Sequence, residues 1–173
     1  MSVVHVLAAM FLAGGVAAPA AAQTFPSKTM RLVVPFAPGG NLSITARLIA
    51  PELSTILGQQ MIVDNRPGAS GQIGAELVAK SPPDGHTLMM ASSSVMSNVP
   101  AVYPKLSYDI LTDFVPVGQV TEVPMVIVVH PSVPAHNTRQ FIALAKAHPG
   151  QLRIASGGVG TTSHLIAELF HMT

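Results

Sequence analysis

Two glycine-bearing turns hold the residues of this 173-residue chain best suited to chemistry. In the first, Pro35-Phe36-Ala37-Pro38-Gly39-Gly40-Asn41, an apolar run gives way to a helical pattern. Gly39 and Gly40 allow a sharp turn and a close backbone approach, and the free amides of a helix start attract an anion. Asn41 and Ser43 complete this candidate set, although any βα unit needs a tight turn here. The second turn, Ser156 to His164, again passes from an apolar run through glycines into a helix. Amides and hydroxyls of Gly157, Gly160, Thr161, Thr162 and Ser163, with His164 beside them, can converge on one acceptor. Ser92 and Ser93 follow a third apolar run, on the edge of an open α/β sheet that faces ligands. The Asp64 to Gly71 stretch borders the same edge or is ordinary Pro-Gly and Ser-Gly turn chemistry.

Other chemistries fit these residues poorly. The second turn misses the G-x-G-x-x-G spacing of a dinucleotide site, and no lysine closes it as in a Walker A loop. Ser163 and His164 are neighbours, so on a helix they point about 100° apart, and neither a G-x-S-x-G elbow nor a placed acid accompanies them. An enzyme using the glycine turns as an oxyanion hole is the alternative reading, and it lacks a positioned base. His164 and His171 share a helix face, yet no H-E-x-x-H or carboxylate pair makes a metal site of them. No metal and no cofactor are expected. Asn41-Leu42-Ser43 matches a glycosylation sequon but also simply opens a helix.

Positioning these turns requires βα units. Apolar runs at Met30 to Pro35, Gln60 to Asp64, Thr87 to Ser92, Met125 to His130 and Leu152 to Ser156 read as strands of a mostly parallel sheet covered on both faces. Helices are predicted over Leu42 to Leu57, Gln72 to Lys80, Thr138 to Ala147 and Thr162 to Met172. In the first, Ile44, Leu48, Ile49, Leu53, Ile56 and Leu57 recur at helical spacing, and Gly58 is a C-terminal stop. Pro51 conflicts with that helix and predicts a kink or a late start. Proline-punctuated residues 100–124 read as a crossover between two lobes.

Nine Lys and Arg against eight Asp and Glu give a formal net charge of +1, too little basic excess for nucleic acid. With no cysteine, disulfides and thiolate chemistry are absent. Nine methionines serve as core filler. Residues 1–22 are almost wholly apolar and end in Ala20-Ala21-Ala22, the A-x-A pattern of an export signal, although the opening carries no Lys or Arg. The chain therefore divides into a leader (1–22), a first lobe (23–124) and the start of a second lobe (125–173). Since it stops at Thr173 without a closing strand, the second lobe is expected to be truncated, and a nonfunctional remnant is a further alternative.

Met30-Arg31-Leu32-Val33-Val34-Pro35-Phe36-Ala37-Pro38-Gly39-Gly40 resembles the opening of the solute-binding proteins of tripartite tricarboxylate transporters, the Bug or TctC family. Asp64 to Gly71, Ser81-Pro82-Pro83-Asp84-Gly85-His86-Thr87-Leu88 and Gly160 to His164 resemble that family in the same order. The resemblance implies a periplasmic, monomeric α/β protein of the type II binding-protein class, two-lobed with the second lobe incomplete. It would hold a small organic carboxylate through loop amides and hand it to membrane transporter subunits. The chain departs from the family at Ser43, where an acidic residue is common.

Overall fold

The structure, a computed structural model, describes residues 24–172; the expected leader at 1–22 lies outside the described residues. Strand β1 (Met30–Val34) is the middle of a three-stranded sheet, flanked by β2 (Met61–Asn65) and β3 (Thr87–Met89). Both pairings are parallel, with Leu32 opposite Val63 on one side and Leu88 on the other. Parallel strands bury both faces, and side chains alternate between them. Met30, Leu32 and Val34 accordingly join Ala46, Ala50, Met61 and Met90 in one core cluster. A second cluster forms around Ala75, Val95 and Tyr108, with Phe36, Met89 and Phe114 packed on it.

Helix α1 (Asn41–Leu57) lies on the first cluster through a small-residue stripe. Ser43, Ala46 and Ala50 are its buried positions, spaced so that one face comes close to the sheet. Leu42, Ile49, Leu53 and Leu57 flank that stripe, whereas Ile44, Leu48 and Ile56, three of the residues at helical spacing, are exposed. Gly58 ends the helix in the left-handed conformation, as its stop signal predicts. Pro51 neither delays nor ends α1, which begins at Asn41 and runs through it. Around it, the Ser54 and Thr55 hydroxyls donate to the carbonyls of Ala50 and Pro51.

Helix α2 (Gln72–Ala79) follows a 3₁₀ turn at Ala69–Gly71. It approaches β1 so closely that a Cβ on Gly74 would lie 2.8 Å from the Pro35 Cα. After β3, a π-helical turn (Ser94–Asn98) runs into α3 (Val99–Val102), where the sequence pattern suggests only a crossover. Helices α4 (Thr138–Ala147) and α5 (Thr162–His171) form at the expected places, and the rings of Phe141 and Phe170 stack at 5.3 Å between them.

The strands expected at Met125 to His130 and Leu152 to Ser156 do not form; among the described residues no ladder follows Met89. A strand exists only through its partner, and these two segments have none. Val126 is 75 % exposed and Val128 83 %, values no sheet interior would show.

The amino edge of the sheet is tied by side chains. The Lys28 ammonium donates to Asp84 at 2.8 Å, the His86 amide donates to the same carboxylate, and the Ser27 amide donates to His86 Nε2.

Gly74→Ala should lower stability by about 1–2 kcal/mol in urea unfolding, because overpacking against Pro35 outweighs the gain in helix propensity. Lys28, then the His86 amide, hold Asp84 down from 3.8 to about 2. A lowered carboxylate pKa stabilises the fold above the unfolded value, and that contribution disappears as pH falls through the folded value. Asp84→Asn should therefore flatten the loss of thermal stability between pH 4 and 2, measured by calorimetric melting at stepped pH.

Candidate functional site

All three strands run the same way, so the turns after β1, β2 and β3 open at one edge of the sheet. The turn after β1 contains Gly39, at φ +86°, and Gly40, which precedes α1. No side chain caps that helix and no acidic residue stands in its first turn. Gly39, Gly40 and Asn41 are exposed. The start of α1 thus offers amides with no side-chain acceptor, the arrangement that draws an anion.

Asn65, at the end of β2, holds this turn in place. Its amide nitrogen donates to the Phe36 carbonyl at 2.9 Å, and its side-chain oxygen accepts from Arg47 at 2.9 Å and Ser43 at 3.3 Å. Ser43, expected to face a ligand, is 1 % exposed and turned to Asn65 instead. The reason is helical phase, which groups Ser43 with Ala46 and Ala50 on the buried face. Sequence reasoning missed Asn65; an asparagine closing an apolar run just before Arg-Pro-Gly was the available signal.

The second glycine turn reaches the same edge from the far end of the chain. The Ser70 hydroxyl, in the turn after β2, donates to the Val159 carbonyl at 2.6 Å. Thr162 Oγ1 lies 3.3 Å from Ser93 Oγ, 3.1 Å from Ser94 Oγ and 3.1 Å from Asn98 Nδ2. Within the turn, Gly157 donates to Ser163 Oγ, Gly160 to His164 Nδ1, and Thr161 Oγ1 to the Gly158 carbonyl. Thr161 caps α5 by accepting from the His164 amide. Many amides expected to meet a ligand here are therefore already taken by the turn's own hydroxyls and imidazole.

The structure thus joins Ser93 with Thr162, and gathers Gly157, Gly160, Thr161, Ser163 and His164 around one turn. It sets Gly39, Gly40 and Asn41 on the same edge without a direct bond to that turn. Ser92 Oγ is buried there with no hydrogen-bond partner. Two hollows, about 250 and 270 Å³, lie away from these residues. One is lined by Ile127, Val129 and Phe141, the other by Phe25, Lys28 and His86.

The cations and acids of the edge are committed elsewhere. Arg31 and Arg66 both donate to Asp64. Burial pushes that carboxyl up, but the two guanidiniums outweigh it and hold it below the usual range. Ser163 and His164 bond to separate backbone amides and do not form a nucleophile–base pair. Among the described residues no group of three His, Cys, Asp or Glu could hold a metal ion.

A model of the family described as the tripartite tricarboxylate transporter family receptor matches residues 45–173. The chain is 41 % identical over 159 residues to Protein BugT of Bordetella pertussis, covering 91 % of this chain and 49 % of that one. The structure described as R. palustris Rpa4515 with adipate is 39 % identical, with a TM-score of 0.81, covering 84 % of this chain and 49 % of that one. MatC (Rpa3494) from Rhodopseudomonas palustris with bound malate is 34 % identical, with a TM-score of 0.77, covering 85 % and 51 %. The chain spans about half the length of the relatives it matches.

Asn65→Ala removes the partner of the Phe36 carbonyl and leaves Ser43 buried without an acceptor. It should cost about 1–3 kcal/mol in chemical unfolding, with faster amide exchange across residues 36–40.

Proposed function

Since the chain belongs to the tripartite tricarboxylate transporter receptor family, a family of solute-binding proteins and not of enzymes, we propose that it takes part in capturing a small organic carboxylate. The start of α1 carries this reading. Its amides open at the ligand edge of a parallel sheet with neither an acidic residue nor a side-chain cap to satisfy them. The side chains point the same way, because the arginines at Asp64 and Asn65 have protein partners, which leaves recognition to the main chain.

In this reading Gly39, Gly40 and Asn41 receive one carboxylate, and the Gly157 to His164 turn, already bonded to the same edge, walls it from the other side. Ser92, after β3, adds a buried hydroxyl with no partner of its own. Enclosure between the two turns excludes water, which strengthens each amide dipole at the anion. Adipate and malate, named with the two structural neighbours, define the class to try first. The protein acts in the periplasm, after export, and passes its ligand to the membrane subunits of a tripartite transporter. Among the described residues no helix is long and apolar enough to cross a membrane.

The test sets stability against binding. Asn41→Asp places a carboxylate at the first residue of α1, which should stabilise the helix by about 0.3–1 kcal/mol through the macrodipole. The same charge would repel an arriving carboxylate, so calorimetric titration with adipate and malate should show affinity reduced at least about tenfold, or about 1.4 kcal/mol. Unchanged affinity in the variant would remove the start of α1 from the site. Absence of saturable binding across a dicarboxylate panel would defeat the reading as a whole.

A further inference from the structure

The place of Thr162 in the glycine turn suggests a ligand contact, but its geometry gives it another task. A hydroxyl has one proton to donate and two lone pairs to accept with. Thr162 Oγ1 has three neighbours at hydrogen-bond distance: Asn98 Nδ2, which can only donate to it, and the hydroxyls of Ser93 and Ser94. Those three use its whole capacity and leave nothing for a ligand. The Thr162 amide also donates to Ser94 Oγ at 3.0 Å, so Ser94 grips both the backbone and the side chain of one residue.

The grip comes from the π-helical turn Ser94–Asn98. Ser94 and Asn98 are four residues apart and both reach Thr162, across 68 and 64 residues of chain. Such turns are rare and concentrate at functional positions. Ser94 is 8 % exposed, so the contact is shielded from competing water. Two further contacts fit the turn to the same surface. Ser70 Oγ donates to the Val159 carbonyl, and a Cβ on Gly158 would come within 2.9 Å of that hydroxyl. Ala69 and Ser70 sit at φ +46° and +56°, a conformation that costs side-chain-bearing residues energy and that this contact helps to hold.

We propose that Thr162 is a positioning residue: through it, the π-helical turn docks the Gly157–Thr161 loop onto the edge of the sheet before any ligand arrives. The purpose of that docking rests on the carboxylate reading above, since a loop already in place spares the ligand the cost of ordering it. The docking itself rests only on contacts within the chain.

The experiment is hydrogen exchange, read by mass spectrometry on the unliganded full chain, for wild type, Thr162→Val and Thr162→Ser. Valine keeps the shape and removes the hydroxyl. It should speed exchange of the 157–161 amides about tenfold or more, as loss of a shielded hydrogen-bond cluster predicts, while serine restores the wild-type rate. Asn98→Ala removes the amide donor from the opposite side and should speed the same amides. Adipate affinity, measured in parallel, should fall by a similar factor in the valine variant and recover in the serine variant. Unchanged exchange in both Thr162→Val and Asn98→Ala would overturn the proposal, including the case where adipate affinity alone is lost, which would make Thr162 a ligand contact. Faster exchange in a protein that binds no dicarboxylate would sustain the docking and defeat only the carboxylate reading.

Discussion

Parallel pairing is the constraint from which the site follows. Because β2, β1 and β3 all point one way, each strand delivers its turn to the same edge, and the central β1 sets Gly39 and Gly40 between the other two turns. A helix must then return the chain across each face, and the helix after β1 starts at that edge with its amides outward. Burial fixes the arrangement: Val33 and Val34 are fully enclosed between the helix layers, so the edge cannot shift without opening the core.

The two glycine turns share that edge but differ in how their polar groups are satisfied. The β1 turn is held from behind by Asn65, which binds a carbonyl and leaves the helix-start amides open. The later turn is satisfied internally, with Ser163, His164 and Thr161 bonding to its own backbone, and is anchored outward through Thr162. One turn therefore offers hydrogen-bond donors, while the other offers a fixed wall. In the proposed reading, a carboxylate meeting both would gain direct polar contacts from the first and a preformed shape from the second, a division of labour that residue types alone did not reveal.

Much of the three-stranded sheet and its helices was legible because their signals are local. Gly58 stops α1, and apolar runs at 30–35 and 60–64 find partners within sixty residues; the large apolar residues at helical spacing in α1 did not point to the small-residue stripe that is buried. Of the two outcomes Pro51 predicts, the late start does not occur, because losing one helical amide bond matters less than the tertiary packing on either side of it. Ser43 misled: its hydroxyl drew attention from the Ser43, Ala46, Ala50 phase that buries it. The segments at 125–130 and 152–156 carry the composition of strands, but pairing depends on a neighbour that composition cannot supply. The π-helical turn had no signature at all, since Ser94-Val95-Met96-Ser97-Asn98 gives neither a helical period nor a turn motif. Of the site, the edge and its glycines could be read ahead; the side chains that position them could not.

The unpaired run from Val123 to Val129 has a bearing on handling as well as architecture. It contains no charged residue, and Pro124 is the sole break in a row of valine, isoleucine and methionine. Exposed strand-like segments are commonly guarded by lysine, bulges or short length, and Pro124 is the one such safeguard within this run. Its free peptide groups can template the same run in a neighbouring molecule, as in fibril growth. Left without a partner strand, such a run is the kind of segment that pairs between molecules rather than within one.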